Sequence, residues 1–239
     1  LPLHVGTALH PDVLPGIQGD DEGDNISRLN ASYSELTALY WMWKNCDADY
    51  KGLVHYRRLF ASPSLANRLR KDRFVRIASS KEIREALKKT GAVVPRRRNY
   101  YIETMRSHYA HTLDGSHLDV MRDILMSKAP EYVPIFDRCM ASTGGHMFNM
   151  LVMRMLTPGQ LVMRADLFDA YCAWLFPLID ELTSQIDASA YTPFEKRYPG
   201  RVSELLLDVW LKTNGQDVVE LPLTSPEPTD WWKKGKGFL

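Results

Sequence analysis

Two clusters of cations have the residue types and spacing to hold an anion. His55, Arg57 and Arg58 lie in the segment YKGLVHYRRLF at 50–60, and Arg96, Arg97 and Arg98 follow the apolar run AVVP at 92–95. Guanidinium forks match phosphate oxygens, and cations fixed beside a departing diphosphate would stabilise the charge it gains. Displacing such a group also calls for a base on the incoming hydroxyl. Glu204, read as the one acid of the largely apolar helix 201–211, suits either that role or a buried structural partner for an arginine.

Other motifs narrow the chemistry. Asp47, Ala48 and Asp49 form a literal DxD, with which many nucleotide-sugar transferases hold a divalent cation against a diphosphate. A metal-holding DxD should follow a strand at its carboxyl end, whereas this one precedes the strand at 50–60, so a metal is not expected there. HYRR holds the carboxyl end instead, and its charge could neutralise a diphosphate without a metal. The acidic loop 20–24 lacks calcium-loop spacing and reads as a solvated turn. His108 and His111 form an HxxH pair near His117 with no third ligand, and read as exposed or hydrogen-bonded histidines. GxSxG, P-loop and GxGxxG patterns are absent, so serine-hydrolase, NTPase and dinucleotide chemistry have no motif support.

The elements that must position these groups follow from apolar periodicity. Residues 30–46 read as one helix, with Ser32 and Glu35 in capping-box spacing and Tyr33, Leu36, Leu39, Tyr40 and Trp43 on its buried face. The run at 50–60 reads as a strand. A helix capped by Ser80 runs to Thr90 and stops at Gly91, and 92–95 forms a second strand. Strand, helix, strand in that order predicts a βαβ unit with parallel strands, whose carboxyl ends, and with them both cation clusters, share one sheet edge. Alternation along the first strand sends His55 and Arg57 to one face and Tyr56 and Arg58 to the other, which favours His55 and Arg57 as ligand contacts. Further on, 117–126, 167–182 and 201–211 read as helices, and 218–223 as a last strand. Between them 147–153 (MFNMLVM) reads as a buried strand in which the polar Asn149 needs a partner. The tail DWWKKGKGFL either touches a membrane surface or packs Trp231 and Trp232 on the domain.

With 239 residues, 45% of them hydrophobic, and 30 Lys and Arg against 29 Asp and Glu, the chain has the profile of a soluble globular protein able to bury a sizeable core. No run approaches the roughly 18 apolar residues of a membrane-spanning helix. Cys46, Cys139 and Cys172 are dispersed and support neither a disulfide scaffold nor a zinc ribbon, which fits a reducing cytoplasm. The near-neutral total conceals segregation, since 51–110 holds 16 Lys and Arg against 4 Asp and Glu and leaves 14 against 25 elsewhere. Such a segment points to an anionic ligand, or to a solvated basic face that balances acidic neighbours.

The segments GDNISRLNASYSELTALYWMWKN (23–45) and DYKGLVHYRRLF (49–60) resemble those of bacterial proteins of the domain-of-unknown-function family 4422. Those proteins occur in capsular and exopolysaccharide biosynthesis and look like GT-A-type glycosyltransferases, galactofuranosyltransferases among them. The resemblance continues through VVPRRRNYYIET, KAPEYVPIFD, HMFNMLVM, RADLFDAYCAWLF and GRVSELLLDVWL, and so covers nearly the whole chain. It implies one α/β domain over 1–239, with a GT-A-like mixed, mostly parallel sheet flanked by helices. Residues 1–110 would be the nucleotide-binding half and 111–239 the acceptor-side half. The reaction implied is inverting transfer of a hexosyl unit, in its narrowest form galactofuranosyl, from a UDP-sugar to a lipid-linked glycan acceptor. It would proceed at the inner face of the cytoplasmic membrane with no metal or other cofactor. Carried onto this sequence, the diphosphate site would comprise Asp24, Asn25, His55, Arg57, Arg58 and Arg96, with Glu204 as base and Asn149 on the acceptor side.

This sequence departs from the family in three places. Family members usually begin with a strand upstream of Leu1, which this chain would lack. LVMR at 151–154 recurs at 161–164 around MLTPGQ, as if about ten residues were inserted between a strand and the helix after it. Leu205 stands where the family usually has an arginine after its glutamate. The rival function class is a polyanion- or RNA-binding module using the basic segment, with Tyr100 and Tyr101 beside the arginine run.

Overall fold

A computed structural model describes residues 2–10, 12, 15–55, 58–99, 102–145 and 161–226. The chain opens with two short paired strands, β1 (Leu3–His4) and β2 (Gln18–Gly19), followed by helices α1 (Asn30–Tyr33) and α2 (Leu36–Asn45). Strands β3 (Tyr50–Leu53) and β4 (Leu59–Phe60) lead through α3 (Leu65–Arg68) and α4 (Ser80–Thr90) to β5 (Ala92–Pro95) and β6 (Arg98–Asn99). Helices α5 (Met105–Ala110), α6 (Ser116–Lys128) and α7 (Val133–Ala141) precede β7 (Gly144–Gly145), and β8 (Leu161–Arg164) runs straight into α8 (Ala165–Gln185). Helix α9 (Tyr198–Thr213) and strands β9 (Val219–Leu221) and β10 (Leu223–Thr224) follow.

The main sheet has the order β3, β8, β5, β9. Strand β8 pairs antiparallel with both β3 and β5, and β5 pairs parallel with β9. The expected α/β class holds, and β3, β5 and β9 all point one way. The expected βαβ pairing of β3 with β5 does not form, because β8 lies between them, and two of the three pairings are antiparallel. The strand that intervenes is the second LVMR copy. The strand expected at 147–153 lies outside the described residues.

Local chemistry explains where helices start and stop. Ser79, not the expected Ser80, caps α4. Its hydroxyl accepts from the Glu82 amide while the Glu82 carboxylate accepts from the Ser79 amide, a reciprocal box that Glu82 can close only with a residue three positions before it. The helix ends at Gly91 in the left-handed conformation. The single helix expected over 30–46 is instead broken at Ser34, which has φ 52° and ψ −126°. The Ser32 and Glu35 box does not form, and the Ser32 hydroxyl donates to the Leu29 carbonyl. The break is held from outside by Arg197 Nε donating to Ser34 Oγ at 2.9 Å, and from within α1 by Asn30 Nδ2 donating to the Ser34 carbonyl at 2.9 Å.

The acidic loop is also not wholly solvated, because Asp20 is fully buried. Its carboxylate accepts from the Gly6 and Thr7 amides and from the hydroxyls of Ser27 and Thr37, so one side chain ties β1, the loop after β2 and helix α2 together. Burial alone would raise its pKa. The Ser27 hydroxyl, Gly6 amide, Thr37 hydroxyl and Thr7 amide together hold it below the ordinary value.

The larger core packs α6, α7, α8 and α9 with β5 and β8, and a smaller one joins α4 to β5, β4 and β9. Helix α9 is buried from Tyr198 to Leu211 without interruption. Among the described residues no helix is long and apolar enough to cross a membrane. At the start of α6, His117 is buried and satisfied on both ring nitrogens, Nδ1 by the Tyr109 hydroxyl and Nε2 by the Tyr191 hydroxyl, each at 2.9 Å. Its ring stacks on Tyr198 at a centroid separation of 4.6 Å.

Burial pushes the His117 imidazole below its ordinary pKa, against the opposing pull of Asp114 and Glu195. The unfolded chain therefore binds a proton that the folded chain resists, so the contribution of neutral His117 is complete above about pH 6.5 and is lost as pH falls below it. Thermal melts between about pH 7.5 and 5.5 should show a falling midpoint in wild type and a shallower fall in His117→Gln. Equal slopes would contradict this linkage.

Candidate functional site

Because β3, β5 and β9 share a direction, their carboxyl ends open onto one edge of the sheet. At that edge β3 ends at Leu53, earlier than the expected strand, and His55 and Arg58 close a tight antiparallel bridge, the Arg58 amide donating to the His55 carbonyl at 3.0 Å. Strand alternation therefore does not govern this segment, and the reason for preferring His55 over Arg58 as a ligand contact falls away. Arg57 lies outside the described residues. Both His55 and Arg58 are half-buried.

The second cluster arrives at the same edge from β5. The Arg96 amide donates to the Leu221 carbonyl at 2.9 Å, which extends the pairing with β9, while its side chain is exposed. Arg97 turns the other way and donates through Nη2 to the Gly144 carbonyl at 2.7 Å and to Ser142 Oγ at 3.1 Å. Strand β6 then pairs antiparallel with β7, so the arginine run and the glycine pair are fastened to one another by backbone and side chain alike.

Helix α9 brings the acids. Glu204, 8% exposed, lines two small cavities. One is shared with Leu53 at the end of β3, Leu36 and Leu39 of α2, and Tyr171. The other is shared with Gly144, Gly145, Met105 and Asp208. Arg201 Nη1 lies 3.4 Å from Glu204 Oε1, so the buried arginine partner is present and the carboxylate faces the sheet edge as well. Asp208 corrects the expectation that Glu204 is the one acid on this helix. It sits one turn further on, is 6% exposed, and accepts from Lys212 Nζ at 3.0 Å. A Cβ on Gly145 would lie 3.0 Å from Asp208 Oδ2, tighter than an ordinary contact, so a larger residue there would have to push the Asp208 carboxylate aside. The spacing of Glu204 and Asp208, four apart on one helix face, was the available signal.

Other candidates lie elsewhere. Asp24 is exposed and accepts from the Tyr40 hydroxyl at 3.1 Å, while its amide donates to Asn45 Oδ1. Asn25 spends its side chain within the loop, donating to the Asp21 and Gly23 carbonyls and accepting from the Ser27 amide. Helix α2 has Leu36 and Leu39 beside Leu53, whereas Asn45, which holds Asp24, is at its other end. The structure thus brings Asp24 and Asn25 away from Glu204, not to it. Asp47 and Asp49 precede β3, and the Asp49 carbonyl accepts from the Ala165 amide where β8 gives way to α8, at the edge opposite the cation clusters. His108 and His111 both engage Glu103, at 2.8 Å and 3.2 Å. Among the described residues no group of three or more His, Cys, Asp and Glu is arranged to hold a metal. Asn149 and the C-terminal tail lie outside the described residues.

The basic segment 51–110 does not present all its charge to solvent. Lys51 is buried against Asp169 at 2.7 Å, Lys88 pairs with Glu85, Arg106 pairs with Asp119, and Arg97 is bound to the 142–144 backbone and side chain. The other cations described lie at the strand edge, in the loop before α4 and on α4 itself, where Lys81, Arg84 and Lys89 are exposed.

No curated protein matches the chain significantly. The apo structure of the WbbM bifunctional glycosyltransferase is similar, with a TM-score of 0.80 and 28% sequence identity over 94% of this chain. The chain spans 41% of that protein's length. The model of the family described as a domain of unknown function, DUF4422, matches residues 1–215, and the chain belongs to that family.

Proposed function

We propose that this chain is a glycosyltransferase domain that moves a hexosyl unit, in the narrowest form galactofuranosyl, from a UDP-sugar to a hydroxyl of a growing glycan. The observation that carries it is the convergence on one sheet edge of the His55–Arg58 turn, the Arg96 to Arg98 run and the buried carboxylate of Glu204, in a fold similar to that of WbbM. In this reading residues 1–110 hold the nucleotide and 111–239 shape the acceptor side, Asn149 included. The acceptor is lipid-linked and belongs to cell-surface polysaccharide synthesis at the inner face of the cytoplasmic membrane, with the C-terminal tail as a membrane contact.

The reaction is a single displacement with inversion. The acceptor oxygen bonds to the anomeric carbon as the bond from that carbon to the diphosphate breaks. Glu204 takes the acceptor proton, and the electron pair leaves with UDP. His55, Arg57, Arg58 and Arg96 offset the charge that gathers on the diphosphate, a task that elsewhere falls to a metal. Arg201 orients the Glu204 carboxylate, and Arg97 positions the glycine pair beside it.

Incubation with a panel of UDP-sugars, read by mass spectrometry, should give hydrolysis or transfer with one of them. Failure of UDP to bind saturably, with a single-stranded oligonucleotide binding under steep salt dependence, would favour the polyanion module instead. Glu204→Gln should lower turnover by roughly 10² to 10⁴-fold with UDP affinity almost unchanged. A variant that melts far below wild type and loses UDP as well would make Glu204 a structural partner of Arg201.

Arg57→Ala should weaken UDP binding by roughly 10 to 100-fold, equivalent to about 1.5 to 3 kcal/mol, and Arg57→Lys should recover only part because a point charge cannot form the fork. Activity should survive excess EDTA and the paired Asp47→Ala and Asp49→Ala changes. Loss with EDTA, restoration by manganese and the same loss in Asp49→Ala would move the diphosphate to the DxD.

A further inference from the structure

Between β4 and α4 the chain leaves the sheet and returns within a short closed loop. Ala61 and Ile77 face each other in an isolated antiparallel bridge, the Ser62 amide donates to the Arg76 carbonyl at 2.8 Å, and the Ala78 amide donates to the Phe60 carbonyl at 2.8 Å. The interior of the loop is tied as well. Ser64 caps α3, Asn67 Nδ2 donates to Ser62 Oγ, Ser62 Oγ donates to Glu82, and Arg76 Nε donates to the Arg70 carbonyl. This is a built surface with both ends fixed.

A loop held this way should turn its large apolar side chains inward, yet it does the reverse. Leu65 is 62% exposed, Leu69 74% and Phe74 73%, with Val75 also exposed. Arg68, Arg70, Lys71, Arg73 and Arg76 are interleaved with them. The one acid, Asp72, accepts from the Phe74 amide. Phe74 and Val75 also wall a groove with Lys81, Glu82, Glu85 and Lys89 of α4, a wall of balanced charge, so the basic border belongs to the loop itself. Single exposed apolar residues are ordinary, but four within eleven residues among five cations are not.

We propose that the loop 62–76 docks on an anionic lipid bilayer, with Leu65, Leu69 and Phe74 entering the interface and the arginines and lysine contacting headgroup phosphates. Apolar side chains ringed by long cationic ones suit the boundary between acyl chains and headgroups, where the alkyl stems stay buried and the charges reach the phosphates. A nucleic acid would satisfy the cations but not the leucines and valine, which have no face on which a base could stack. The loop follows the His55–Arg58 turn through β4, so docking would hold that part of the molecule near the bilayer. The inference does not rest on the transferase reading, because its readout is vesicle binding.

The test is co-sedimentation of the full chain with phosphatidylcholine vesicles, with and without about 30 mol% phosphatidylglycerol, at low and high salt. Binding is expected only with the anionic vesicles and should weaken by about tenfold or more at high salt. Leu69→Ser combined with Phe74→Ser should weaken binding to anionic vesicles by about tenfold or more, as should Arg70→Glu with Lys71→Glu, all with unchanged melting. Trp231→Ser with Trp232→Ser in the tail should weaken binding less than either loop variant does. The proposal is overturned by absence of binding to anionic vesicles, by wild-type binding in the Leu69 and Phe74 variant, or by loss confined to the tail variant. It is equally overturned if an oligonucleotide displaces the vesicles and the Leu69 and Phe74 changes leave that oligonucleotide binding intact.

Discussion

A helix buried on every side leaves its charged residues no water to face. Helix α9 is enclosed from Tyr198 to Leu211, and that stretch carries Arg201, Glu204 and Asp208. An unpaired charge in such a place would cost several kcal/mol, so each must be matched within reach. Arg201 meets Glu204, and Asp208 meets Lys212 one turn further on. The neighbours are shaped accordingly: α1 and α2 break at Ser34, the residue engaged by Arg197 at the start of α9, and β7 consists of two glycines against Asp208. The carboxylates that this arrangement holds in place are the ones that face the sheet edge.

The second constraint is direction. Strand β8 runs against both of its neighbours, so β3 and β5 share a polarity without touching. Cation clusters separated by some forty positions in sequence thereby reach one edge. Had β3 and β5 run in opposite directions, the HYRR turn and the arginine run would face opposite sides of the sheet and could not act on one diphosphate. The same polarity puts Asp47 and Asp49 at the far edge, beside the start of α8. A charge pattern in sequence thus becomes a site only through an antiparallel strand contributed much later in the chain.

Much of this was legible locally. Helix α4 follows from its serine, Glu82 and Gly91, and α6, α8 and α9 from apolar periodicity, because caps and amphipathic faces are written in neighbouring residues. The shared edge of the cation clusters was also anticipated, although through a pairing that does not occur. What was hidden depends on distant partners. No local signal ends β3 at Leu53, since the aromatic and branched residues beyond it favour a strand. Nothing within the LVMR run at 161–164 specifies β3 and β5 as its partners. In sequence Asp20 is one of several loop acids, and what sets it apart is the convergence of four donors from three segments. Asp208 has no signature in apolar periodicity, which reports the hydrophobic face of a helix and not the acids spaced along it.

The central claim is that the diphosphate of a nucleotide sits at the carboxyl edge of the sheet, within reach of Glu204. It is tested most directly by a structure of the protein bound to UDP. The expected result has the diphosphate against the 55–58 turn and the 96–98 run, with its open end toward Glu204. A diphosphate bound instead through a metal at Asp47 and Asp49, on the opposite edge, would contradict it.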